Sequence, residues 1–96
     1  MNENKYNVIR TAKFKKGYKL IKKQGKILSK LAWGINQLAR DIPLPPNWKD
    51  HQLKGKHKQY RECHIDGAGD WLLVYEKRES NMILYLIGTG SHTDLL

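Results

Sequence analysis

Histidine is the side chain best suited to proton transfer near neutral pH, and this chain carries four histidines, all in its second half. His51, His64 and His92 stand beside other polar residues or beside strand ends, so they are the candidates for chemistry. The fourth, His57, lies between two lysines in a turn, where a surface position or a nucleic-acid contact is the simpler interpretation. Asp70, at the start of an apolar segment, completes the candidate group.

These residue types suit acid–base cleavage of a phosphodiester. RNA carries its own nucleophile, the 2′-hydroxyl, so a protein needs a base for that hydroxyl, an acid for the leaving 5′-oxygen and cations for the phosphate. Each positioned proton-transfer group contributes about 10²- to 10⁴-fold in rate. A lone cysteine and four scattered histidines do not form a zinc-binding pattern, so we expect neither a metal nor another cofactor.

The candidate residues fall at the ends of predicted strands. A strand over 59–65 places Glu62 and His64 on the same face, because alternate side chains share a face. A glycine-rich turn follows, so Asp70 begins the neighbouring antiparallel strand close to His64. His92 follows the last strand, and periodicity alone does not establish that it reaches the other two.

The rest of the chain predicts an α+β scaffold of the order β-α-α-β-β-β. Two amphipathic helices, the first capped by Thr11 and ended by Gly25, form a hairpin that packs on one face of an antiparallel-rich sheet. A proline-rich connector follows the second helix. We expect strands at 6–10, 59–65, 71–75 and 82–87, with 71–75 central and buried on both faces, and a tail over 88–96.

The composition predicts one domain over residues 1–96 and a strongly basic surface, with a formal charge of +9. Residues 4–40 contain eleven basic side chains and no acidic one. A field of one sign attracts a polyanion or an acidic protein partner, although a solvated helix face would also explain it.

The single cysteine, Cys63, cannot form an internal disulfide, which fits a reducing compartment. The N-terminus lacks an apolar signal core, and no apolar run approaches the roughly 18 residues that span a bilayer. We therefore expect a cytoplasmic protein.

Four blocks of the sequence, taken together and in order, resemble the YafQ family of RelE-like toxins. They are WKDHQLKG at 48–55, YRECH at 60–64, DWLLVY at 70–75 and GSHTDL at 90–95. Each block alone is a weak signal, whereas four in the family's order are specific. The helical hairpin matches the family mainly in layout.

The resemblance implies an endoribonuclease that cuts mRNA in the ribosomal A site. It also implies a cognate antitoxin, usually acidic, in a heterotetramer that represses its own operon, with DNA contacts mainly from the antitoxin. The positions that match the family's catalytic residues are His51, His64, Asp70 and His92, with His92 at the place of the usual principal acid or base.

The chain departs from the family at two positions that concern substrate binding. Leu96 stands where the family usually has a phenylalanine that could stack on a base, and Gly88 stands where it commonly has an arginine. Lysines or another arginine must then supply the positive charge that binds the phosphate. In addition, Glu62 stands where the family often has aspartate. The candidate substrate- and phosphate-contacting residues are Lys49, Lys54, Lys56, Arg61, Glu62 and Leu96.

Two other functions remain open from the sequence. A ParE-like toxin shares the scaffold and inhibits DNA gyrase by binding, without a histidine cluster. A non-catalytic nucleic-acid-binding module would use the basic helices alone, and its binding would fall steeply with salt.

Overall fold

The computed structural model describes residues 4–67 and 69–95. Their helices and strands are β1 (Asn7–Arg10), α1 (Ala12–Lys23), α2 (Leu28–Ala39), β2 (His51–Gln52), β3 (Arg61–His64), β4 (Leu72–Arg78), β5 (Ile83–Gly90) and α3 (His92–Leu95). The strands form one sheet in the order β1-β5-β4-β3-β2. Strand β1 runs parallel to β5 and the other neighbours are antiparallel. The predicted α+β class with an antiparallel-rich sheet is confirmed.

Helix α1 begins and ends where the sequence predicts. The hydroxyl of Thr11 accepts a hydrogen bond from the backbone nitrogen of Phe14 at 3.2 Å, which satisfies an amide that the first turn leaves unpaired. At the other end Gly25 has a φ of 76°, and the amides of Gly25 and Lys26 donate back into the last turn. This is a Schellman ending, and it turns the chain toward α2.

Helix α2 is held by a close approach that only glycine allows. A Cβ on Gly34 would lie 2.6 Å from the ring of Trp48, so the buried indole packs directly on the helix backbone. Trp48 belongs to a short 3-10 turn, Pro46–Trp48, and it anchors the segment that leads into β2. No helix within residues 4–67 and 69–95 is long and apolar enough to cross a membrane.

The two faces of β4 differ in what covers them. Leu73 and Tyr75 belong to the main core, together with Phe14 and Ile21 of α1 and Leu31 and Leu38 of α2. Leu72 and Val74 point to the opposite face, where they are also buried. The prediction of a central strand buried on both faces is confirmed. We call the second side, away from the helical hairpin, the open face.

Strand β5 is longer than predicted, since it continues to Gly90 instead of ending at Ile87. A bulge causes part of the difference: Val74 pairs with Gly88 while the next residue, Tyr75, pairs with Leu86, so Ile87 is an extra residue in the ladder. Glycines are depleted in strands, so the Gly88–Gly90 segment appeared to be a tail. Strand β2 and helix α3 were not predicted, because such short elements carry no periodicity.

Candidate active site

The three histidines predicted for the site, His51, His64 and His92, form a row along the edge of the open face. The ring centroids of His51 and His64 lie 6.5 Å apart, and those of His64 and His92 lie 6.1 Å apart. The sheet register explains the first pair, because His51 of β2 lies opposite Glu62 of β3 and Glu62 shares its face with His64. The convergence of His92, which periodicity left open, is now established.

His92 is paired with Asp70. The Oδ1 atom of Asp70 lies 2.5 Å from Nδ1 of His92 and also accepts the backbone amide of His92 at 3.0 Å. The backbone hydrogen bond, and then the ring hydrogen bond, hold the pKa of the Asp70 carboxyl below its usual range. An ionised carboxylate therefore fixes the proton on Nδ1 and leaves Nε2 of His92 available to a substrate.

The position of His92 is set by local caps. The backbone amide of Ser91 donates to Oδ2 of Asp94, and the backbone amide of Asp94 donates to Oγ of Ser91, both at 3.1 Å. This reciprocal pair is a capping box at the start of α3. His92 is the first residue of that helix. The first backbone amide of any helix has no acceptor within the helix, so that of His92 is available to donate to Asp70.

A buried hydrogen-bond chain joins the two segments that carry this pair. The indole nitrogen of Trp71 donates to the hydroxyl of Thr89 at 3.0 Å, and that hydroxyl donates to the carbonyl of Leu72 at 2.8 Å. Thr89 is 1% exposed. Asp70 directly precedes Trp71, and Gly90 and Ser91 connect Thr89 to His92. The two hydrogen bonds of Thr89, which we call the Trp71–Thr89 clasp, therefore hold the chain segments of both Asp70 and His92.

His51 has a carboxylate partner of its own. Its Nδ1 lies 2.7 Å from the backbone carbonyl of Lys49, an atom that can only accept, so Nδ1 carries a proton. Its Nε2 lies 3.6 Å from Oε1 of Glu62. A proton gained at Nε2 would thus form an ion pair with Glu62. The row therefore has a histidine–carboxylate pair at each end, with His64 between them.

A cleft of about 390 Å³ adjoins the row on the open face. The cleft is lined by His92 from the row and by Glu62, the carboxylate partner of His51. Leu72 and Val74 line its apolar part. A molecule in the cleft would therefore contact apolar sheet surface and ionisable side chains together.

The structure does not bring Arg61 to this row. Arg61 shares a face with buried Cys63, and its Nε donates to Asp50 at 3.2 Å and to the hydroxyl of Tyr75 at 3.3 Å. Tyr75 also donates to Asp50 at 2.6 Å, and burial, together with this hydrogen bond, raises the pKa of the Tyr75 hydroxyl. Arg61 is thus engaged within the protein on the side opposite Glu62 and His64.

The other predicted phosphate contacts are exposed and lie outside the cleft lining. Lys49 has a left-handed backbone (φ 52°) just before the His51 segment, whereas Lys54 and Lys56 belong to the loop that joins β2 to β3. Leu96 lies outside the described residues. Glu62 is the one member of this predicted set, among the described residues, that lines the cleft.

Two residues outside the predicted site, His57 and Lys13, also line the cleft. His57 stacks on Tyr60, with ring centroids 6.2 Å apart and planes inclined by 18°. Lys13 of α1 enters from the helical hairpin. Neither has a local signal: His57 lies in a lysine-rich turn, and Lys13 is one of many lysines on its helix. Within the described residues, no three histidine, cysteine or carboxylate groups converge to hold a metal ion.

Comparison with known proteins gives a consistent assignment. The family described as "Bacterial toxin of type II toxin-antitoxin system, YafQ" matches residues 6–96. The mRNA interferase toxin YafQ of Escherichia coli K12 is 34% identical over 86 residues, which cover 88% of this chain and 89% of that protein. A putative toxin YafQ of Haemophilus influenzae is 46% identical over 48 residues, covering 50% of this chain and 45% of that protein.

Solved structures agree in fold over nearly the whole chain. A chain of the E. coli DinJ–YafQ toxin–antitoxin complex has a TM-score of 0.85 at 31% identity, covering 96% of this chain and 98% of that one. A metal-bound toxin from Helicobacter pylori has a TM-score of 0.87 at 38% identity, covering 95% and 99%. This chain therefore belongs to the YafQ family of bacterial toxins of type II toxin–antitoxin systems.

Proposed function

We propose that this toxin is a ribosome-dependent endoribonuclease that cuts mRNA in the A site by acid–base catalysis through the 2′-hydroxyl, without a metal. The observation that carries the proposal is the Asp70–His92 pair, which leaves Nε2 of His92 free beside a second histidine. The name of the E. coli relative, an mRNA interferase, supports the same reaction.

The reaction needs two proton transfers around one phosphate. A base removes the 2′-hydroxyl proton, the 2′-oxygen bonds to phosphorus, and the bond from phosphorus to the 5′-oxygen breaks. An acid then gives a proton to that 5′-oxygen, so the products are a 2′,3′-cyclic phosphate and a 5′-hydroxyl. Neighbouring rings about 6 Å apart allow one histidine on each side of a phosphate.

The carboxylates define what each end of the row can do. Asp70 keeps His92 in the tautomer that exchanges protons at Nε2 and stabilises the imidazolium once a proton is gained. At the other end the carbonyl of Lys49 sets the tautomer of His51, and Glu62 stabilises a proton gained on its Nε2. We assign His51, His64 and His92 to proton transfer and phosphate contact. The exposed Lys49, Lys54 and Lys56 would meet the RNA around the cleft.

The partner we propose is a small acidic antitoxin. The +9 charge of the chain favours an acidic protein, and a structure of the E. coli relative is a toxin–antitoxin complex. We further propose a heterotetramer in which the antitoxin makes most contacts with operator DNA.

The decisive experiment maps transcript ends by primer extension after brief induction. Wild type should produce new 5′ ends within translated codons, and His92→Ala should reduce them by about 10²-fold or more. Thr93→Ala, an exposed neighbour in the same helix, controls for disturbance of α3. Broken DNA with intact transcripts would instead identify a gyrase inhibitor, and full cleavage by His92→Ala would overturn the mechanism.

A further inference from the structure

Lys13 lines the cleft beside the histidine row, and the proposed proton transfers do not involve it. Among the described residues that line the cleft, Lys13 is the only lysine or arginine. The same cleft contains His92 and the carboxylate of Glu62. A phosphodiester held there needs positive charge, and the described lysines expected to supply it lie outside the lining.

Two glycines bring Lys13 to this place. A Cβ on Gly17, one turn further along α1, would overlap the carbonyl oxygen of Thr89, so the helix packs directly on the backbone of β5. Gly88 has no side chain on the cleft side of β5, and the side chains of Leu95 and Lys13 pack over it: Cδ2 of Leu95 and Cε of Lys13 lie 2.8 and 3.8 Å from the position that a Cβ on Gly88 would occupy. The lysine side chain thus lies over the glycine.

The charge of Lys13 is not consumed inside the protein. Lys5, Lys30 and Lys77 each pair with an aspartate at 3.0 Å or less, whereas no carboxylate of the described residues pairs with Lys13. Lys13 also stands in the first turn of α1, which contains no acidic residue. A cation there opposes the helix dipole, so the position gives the fold no electrostatic benefit.

We propose that Lys13 binds a phosphate of the RNA strand in the cleft beside His92 and supplies the positive charge that this phosphate needs. This rests on the proposed ribonuclease function. The end of the Lys13 side chain comes from helix α1 and lies over Gly88 of β5, whereas β2 and β3, the strands of the histidine row, lie beyond β4 in the sheet.

The test compares Lys13→Gln and Lys13→Arg with Lys15→Gln, which removes the same charge from an exposed position of α1 outside the cleft lining. The first readout is kcat/KM for cleavage of mRNA on programmed ribosomes. Lys13→Gln should lower kcat/KM by about tenfold to a hundredfold, while Lys13→Arg and Lys15→Gln should stay within about threefold of wild type. Equal losses for the two glutamine variants would overturn the proposal.

The second readout is the salt dependence of binding to a single-stranded RNA with 2′-O-methyl riboses, which cannot be cut. The logarithm of the RNA-binding constant falls as the logarithm of the salt concentration rises, and loss of one phosphate contact should make this negative slope shallower by about 0.7 for Lys13→Gln. The slope should not change for Lys15→Gln. An unchanged slope for Lys13→Gln would refute the contact. If wild type does not cut ribosome-bound mRNA, the proposed function fails, and the binding slope still decides the role of Lys13.

Discussion

One carboxylate oxygen of Asp70 holds both the backbone and the ring of His92, at 3.0 and 2.5 Å. The two contacts have different consequences. The backbone contact ties the first residue of α3 to Asp70, and the ring contact fixes which nitrogen of His92 faces a substrate. Substitutions can separate the two.

Asp70→Asn should keep the backbone contact and lose the charge. The asparagine oxygen can still accept the amide of His92, but a neutral amide no longer stabilises the imidazolium, so we expect cleavage to slow by about 10²-fold or more. The rate on programmed ribosomes measures this, and circular dichroism should show an unchanged fold. A rate equal to wild type would mean that the pair is structural.

His51 and Glu62 should act as a unit. If Glu62 works by stabilising a proton on His51, then His51→Ala and Glu62→Gln should each slow cleavage, and the double variant should be little worse than His51→Ala. A double-mutant cycle of kcat/KM measures the coupling. Additive losses would show that Glu62 acts independently, for example on the substrate.

An arginine at position 88 should compensate for the loss of Lys13. The atom closest to a Cβ on Gly88 is Cδ2 of Leu95 at 2.8 Å, and the end of that side chain can turn away. In a Lys13→Gln background, Gly88→Arg should recover about tenfold in kcat/KM because it returns a cation to the cleft. Gly88→Ala in the same background is the matched control. Recovery by alanine would indicate an effect of packing and not of charge.

Gly34→Ala should destabilise the protein even though alanine is the better helix former. Helix propensity favours alanine by about 1 kcal/mol, but its Cβ would lie 2.6 Å from the ring of Trp48. Overpacking costs about 1–3 kcal/mol, so we expect a net loss in the free energy of unfolding by urea. Asn36→Ala, at an exposed position of α2, should be neutral or slightly stabilising. A stabilised Gly34→Ala would show that Trp48 moves freely.

Asp41 should contribute stability that disappears in acid. Hydrogen bonds from Lys5 and then from Lys77 lower the pKa of its carboxyl below the ordinary 3.8. The contribution is therefore present above that value and is lost as the pH falls through the lower, folded-state pKa. Because the Asp41 side chain is 37% exposed, we expect less than about 1 kcal/mol.

The measurement is urea unfolding of wild type and Asp41→Asn across the acid range. Asp41→Asn should be the less stable protein near neutral pH, and the two curves should converge in acid as the pH falls through the lowered folded-state pKa of Asp41 and the wild-type carboxylate becomes protonated. A difference that stays constant with pH would contradict the ion-pair explanation.

Strong local signals predicted the helical hairpin and the central strand. Thr11 and Gly25 mark the ends of α1 by cap chemistry, and the unbroken apolar run from Trp71 to Tyr75 identifies β4. Signals of this kind depend on a few neighbouring residues, which a single sequence displays. The ends of β5 are less visible because the bulge at Val74 and Tyr75 depends on pairing with another strand.

In the candidate site, too, local signals were visible in the sequence, whereas contacts between distant segments were not. Residue type and position near predicted strand ends singled out His51, His64, His92 and Asp70, the resemblance to a family pointed to the same four, and the structure brings them together. The substrate-binding side was harder to predict, because contacts across the sheet decide it. Arg61 lies on the wrong face to join the row, and Lys13 reaches the cleft from a helix far away in sequence.

The Trp71–Thr89 clasp has a consequence for how quickly the toxin can act. Because a fully bonded hydroxyl buried in the sheet holds the segments of Asp70 and His92, their alignment does not wait for RNA to arrive. The entropy of ordering this pair has already been lost when the protein folds. In the free toxin the Asp70–His92 pair is therefore already in place before any partner or substrate binds.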